Sequence, residues 1–167
     1  MRMHWTVGLA AAALGACAGT QAPVPVSGSE ADLAQLAGEW VGEYSSVETG
    51  RSGSIVFHLI AGTDSAHGDV LMGASAMQAQ PRMPETGQVP GAQVPAPQTL
   101  AISFVRIAGG RVSGRLAPYT DPDCQCPMRT VFEGRLNGTV LEGTYTSRRD
   151  DTASELRGRW RVTRRTP

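Results

Sequence analysis

The chain has 167 residues, 41% of them hydrophobic and 18% charged, with 15 basic side chains against 15 acidic ones. That length supports one domain with a fair core but not two. All the bases are Arg and the acids balance them, which excludes an overall basic footprint for nucleic acid.

The N-terminal stretch MRMHWTVGLAAAALGAC sets Arg2 ahead of a mostly apolar run from Trp5 to Ala16, with small residues before Cys17. The run is far shorter than the roughly 20 residues of a membrane-spanning helix, and its layout is that of an export signal. Leu14, Gly15, Ala16 and Cys17 resemble the lipobox of bacterial lipoproteins. The resemblance implies a signal peptide over residues 1–16 and, after cleavage, a diacylglycerol thioether and an acylated amine on Cys17. The partner is then a membrane, reached through this lipid anchor alone. Localisation follows as the cell envelope, and Ala18 in place of Asp implies the outer membrane where the cell has one. An ordinary secretory signal with an incidental Cys17 is the alternative.

Residues 17–29 are small, proline-containing and uncharged, the composition of an extended tether. A single domain is expected over residues 30–167. Ser29, three residues ahead of Asp32, predicts an N-cap, and Leu33 and Leu36 give a short helix one apolar face. Beyond it the apolar period becomes two. Eight segments read as strands: Glu39–Ser46, Ser54–Ala61, Gly68–Gly73, Leu100–Ala108, Arg111–Ala117, Thr130–Leu136, Val140–Ser147 and Leu156–Arg164. Gly109-Gly110 and Asn137-Gly138 predict tight hairpin turns. Residues 74–99, rich in Gln, Pro and Ala, predict a long low-complexity loop at one barrel mouth.

Alternation turns Trp40, Tyr44, Phe57, Phe132, Tyr145 and Trp160 inward, with Gly42, Gly114, Gly134, Gly143 and Gly158 on the same face. Glu and Arg occupy the opposite face. A meander with no helices to cover a second apolar face closes economically on itself. The expected fold is all-β: an eight-stranded antiparallel up-and-down β-barrel after a short helix, with a β-sandwich as the alternative. The short helix leading into Gly38, Glu39 and Trp40, followed by the meander, resembles the calycin architecture of lipocalins and avidins, whose G-x-W opens the barrel. GTYTS at Gly143–Ser147 is similar to avidin strands. Lipocalins set an Arg or Lys of the final strand against that Trp, whereas Arg159 and Arg161 fall on the outward register here. The side chains that avidins gather around biotin are not recognisable, so the resemblance implies no biotin site.

His58 lies on the outward register of its strand and reads as a surface histidine. His67, between Asp64 and Asp69, reads as part of a polar turn, with a metal contribution as the alternative. No G-x-S-x-G, H-E-x-x-H or P-loop pattern occurs, and no catalytic residue, metal ligand set or cofactor is assigned. The outer Arg and Glu residues predict cross-strand pairs, with a surface for anionic headgroups or polysaccharide as the alternative.

TDPDCQCPM puts Cys124 and Cys126 in a loop over Pro118–Arg129. A local disulfide is expected in an oxidising compartment. A reduced pair, a link to another chain, and a soft copper site with Met77, Met83 and Met128 stay open. The functional expectation is a lipid-anchored envelope protein without enzymatic activity, a structural or interaction module with an envelope partner. The alternative is a binding protein for a small apolar ligand in the barrel. Large inward rings argue for a filled interior and inward glycines for space.

Overall fold

The computed structural model describes residues 23–60, 63–73, 96–150 and 153–165; Cys17, the stretch read from sequence as a signal peptide and residues 74–95 lie outside them. The described residues form β1 (Val24–Ser27), α1 (Glu30–Leu36), β2 (Gly38–Ser45), β3 (Ser52–Leu59), β4 (Ser65–Met72), β5 (Gln98–Ala108), β6 (Arg111–Leu116), β7 (Tyr119–Asp121), β8 (Cys126–Asn137), β9 (Val140–Arg149) and β10 (Glu155–Arg164). Nine strands close into a barrel in the order β6-β5-β1-β4-β3-β2-β10-β9-β8, with β8 returning to β6. β7 pairs with the start of β8 outside this ring.

The barrel therefore has nine strands, not eight, and one of its contacts is parallel. The extra strand, β1, lies in the stretch read from sequence as tether. Val24 and Val26 are buried, while Pro25 and Ser27 between and after them are exposed. Val24 pairs antiparallel with Ala66 of β4, and Val26 pairs in parallel with Val105 of β5. Strands β4 and β5 meet directly only where Asp69–Met72 faces Gln98–Ala101. Past that contact β1 stands between them.

One end of the barrel is closed by α1. Ser29 caps the helix by accepting from the Asp32 amide at 3.2 Å, and Leu36 is 1% exposed. The Trp40 indole donates to the Leu36 carbonyl at 2.7 Å. Over the same ring stands the Arg164 guanidinium, 4.6 Å from its centre, which also donates to the Gln35 carbonyl. Arg159 and Arg161 are exposed, as their register requires. The cation against Trp40 is Arg164, which pairs with Trp40 in register and shares the parity of Trp160 and Val162.

Inward rings and inward glycines turn out to be complementary. A side chain at Gly134 would meet the Trp160 ring at 2.6 Å, and one at Gly158 would meet the Tyr145 ring at 2.3 Å. The rings thus lie against bare backbone and leave the axis partly open. Other boundaries shift. Asn137 pairs with Val140, so the turn is Gly138-Thr139, and Gly138 takes the positive φ of 62°. His67 sits within β4 directly opposite His58, both exposed, rather than in a turn. On the outer wall Arg161 meets Glu142 at 2.5 Å across β10 and β9, one of the cross-strand pairs expected there.

Candidate functional site

At the end away from α1, β2 delivers Tyr44 inward, and the turn that follows brings Arg51 back over the mouth. The same end receives Met72 from β4, Tyr119 and Asp121 from β7, and Met128 and Thr130 from β8. These residues, with Ile55, Phe57, Val70, Ile102 and Val105 deeper in the barrel, line a cavity of about 120 Å³. Its deep walls are apolar and its polar groups gather at the mouth.

Arg51 is 6% exposed although it follows a turn. Its guanidinium grips Asp121 with both terminal nitrogens, at 2.6 and 2.9 Å, and also reaches Asp123. The Met72 thioether lies 3.4 Å from one of those nitrogens. Two parallel bonds to one carboxylate fix the guanidinium plane. Burial raises the Asp121 pKa, but the Arg51 hydrogen bond and the Asp123 and Cys124 amides outweigh it and hold the group below the usual range. Burial likewise works against the Arg51 charge, and the two carboxylates overcome it, so its pKa is raised.

Asp121 is presented by a tight turn. Its side chain accepts from the Asp123 amide at 2.8 Å, and its carbonyl accepts from the Gln125 amide at 2.8 Å. Gln125 takes a φ of 53°, rare for a residue with a side chain. On either side of it Cys124 and Cys126 stand with Cα atoms 5.1 Å apart and sulfurs within bonding distance. The stretch read as a loop is therefore a hairpin: Asp121 pairs with Cys126 and Tyr119 with Met128. Cys126 is buried and Cys124 exposed.

All three tyrosines of the chain, Tyr44, Tyr119 and Tyr145, line this cavity. Tyr44 and Tyr145 meet edge to face with centres 5.8 Å apart. The Tyr119 hydroxyl lies 3.3 Å from that of Thr130, which lies 2.6 Å from that of Ser147. Burial pushes the Tyr44 phenol well up, with Tyr145 adding to the effect, and burial raises Tyr145 too. Both are neutral hydroxyls at ordinary pH.

The chain matches no protein family, no curated protein and no solved structure.

Of the six interior candidates read from the sequence, Tyr44, Phe57, Phe132, Tyr145 and Trp160 line the cavity. Trp40 is fully buried but belongs to the plug at the α1 end. Among the described residues no group of three His, Cys, Asp or Glu side chains is placed to hold a metal. Met77 and Met83 of the copper set lie outside the described residues. Sequence reasoning missed Arg51, Asp121 and Tyr119. Arg51 and Asp121 sit in turn-rich stretches where alternation carries no information, and their contact spans 70 residues.

Proposed function

We propose that the protein binds a small, mostly apolar molecule inside its barrel while held to the cell envelope by a lipid on Cys17. The cavity of about 120 Å³ carries this reading. Engineered apolar cavities of about 150 Å³ take up benzene, and a core with only a structural task gains by filling such space. Binding fits better than catalysis because the buried charges at the mouth, Arg51 and Asp121, are paired with one another, and Arg51 also with Asp123. The finer fold is inferred to be calycin-like: eight meander strands as the basic ring with β1 inserted, supported by the α1 plug and the Arg164–Trp40 stack. An interaction module for an envelope protein is the second reading, favoured by Val56 and Leu71, exposed on neighbouring strands of the outer wall.

Benzene added to the full chain should raise the unfolding temperature and shift the indole N–H signal of Trp160, which lines the cavity. Leu116→Trp should remove both effects by occupying the space. No shift at millimolar benzene would contradict the reading. For the anchor, Cys17→Ser should release the protein from membranes or leave its signal unprocessed. Unchanged detergent partitioning with unchanged mass would count against it.

A further inference from the structure

Tyr44 is 8% exposed, and its hydroxyl has no hydrogen-bond partner among the described residues. The nearby Gly73 amide is engaged with the Ser52 carbonyl at 3.1 Å, and an amide is in any case no acceptor for the phenolic proton. Arg51 Nε is likewise buried without a partner, while the other two guanidinium nitrogens are taken by Asp121 and Asp123. Both residues line the cavity. Buried donors without acceptors carry a desolvation cost that a suitable ligand atom relieves.

From this geometry we infer that the cavity selects an uncharged molecule with one hydrogen-bond acceptor, a carbonyl or ether oxygen, on a compact apolar body. The inference rests on the ligand-binding reading above and adds the chemistry of the ligand. The acceptor sits at the mouth, where the Tyr44 O–H and the Arg51 Nε–H are the donors on offer. The apolar body extends along Phe57, Ile102 and Trp160. The charge rule follows from the same cluster. Arg51 already faces two carboxylates, so an anionic ligand meets a site with a surplus of negative charge and loses its own hydration on entering. Phenols raised by burial remain proton donors, consistent with this assignment.

Two probes of nearly equal shape separate the acceptor from the apolar body: cyclohexanone, with a carbonyl oxygen, and methylenecyclohexane, with a CH₂ in its place. Titrated into the full chain and read at the Trp160 indole signal, each probe is compared with itself in the unsubstituted protein and in Tyr44→Phe, because hydration of the carbonyl in water sets the two probes' absolute affinities apart. Tyr44→Phe deletes only the unpartnered hydroxyl and should leave the fold intact. It should weaken cyclohexanone about tenfold, the worth of one well-made hydrogen bond, and leave methylenecyclohexane within about twofold. Equal losses of both probes in Tyr44→Phe would overturn the acceptor assignment alone. So would a cyclohexanone affinity that survives Tyr44→Phe unchanged. If neither probe moves the Trp160 signal, the ligand-binding reading itself falls and takes the inference with it.

Discussion

The two ends of the barrel each use a buried or half-buried arginine, to different effect. At the α1 end Arg164 lies over Trp40 and donates to a helix carbonyl, and the space between is filled by Leu36, Trp40 and Leu59, each no more than 1% exposed. At the other end Arg51 is held by carboxylates from a hairpin, and the space below it stays open. The difference teaches how one sheet packs its two ends by different means. A cation on an aromatic face needs no counter-charge and permits dense packing. A cation paired with acids imports polar groups, and their hydroxyl and thioether neighbours do not close the void. Dense packing is thus concentrated at one end and open space at the other.

Substitution at the filled end should show the largest loss. Trp40→Ala removes a fully buried ring, and a cost of about 3–5 kcal/mol is expected in denaturant unfolding. Any variant stable enough to titrate should keep its preference between probes, because Trp40 does not line the cavity. Breaking the Arg51 cluster should cost slightly less. Asp121→Ala leaves the guanidinium with Asp123 alone, and about 3 kcal/mol is expected. Pairing it with Arg51→Met should recover much of that loss, whereas an equal or larger loss in the double variant would show that the charges are not the reason for the cost.

The same cluster makes a pH prediction. The native Asp121 pKa lies below its unfolded value, so its contribution is fully present above about pH 4 and falls away as pH drops through the native value. Asp121→Asn should therefore flatten the acid limb of the stability curve relative to the unsubstituted protein. Identical acid limbs would show that Arg51 does not favour the ionised form.

The smallest of these effects belongs to the hairpin. Joining Cys124 to Cys126 closes very little chain, and replacing both by Ser should cost about 1–2 kcal/mol. Intact mass with and without reductant and alkylation checks the bond itself. Two thiols alkylated without prior reduction would remove it from the account.

Alternation made the inward face legible over most of the barrel, because a half-buried strand must repeat every two residues. Trp40, Tyr44, Phe57 and Trp160 are buried where that period places them. β1 escaped because four residues with a proline carry too short a period to register, and only its wedge between β4 and β5 gives it a role. Arg164 escaped for a different reason. The exposed arginines of β10 drew attention, while Arg164 follows the inward parity of Trp160 and Val162. The apolar half of the candidate site was legible through Phe57, Phe132 and Trp160. Its polar half was not, since nothing local to Gly50–Ser52 or to Asp121 says that 70 residues later they meet. Pro118, which lacks a backbone donor, falls in the gap between β6 and β7, which both pair with β8, and made a hairpin read as loop.

The most direct test of a barrel filled at one end and open at the other is a crystal structure of the protein under xenon pressure. Xenon should occupy the space bounded by Tyr44, Phe57, Met128 and Trp160, with none beneath α1 around Leu36 and Trp40. A barrel interior without xenon, or xenon only at the α1 end, would contradict the account.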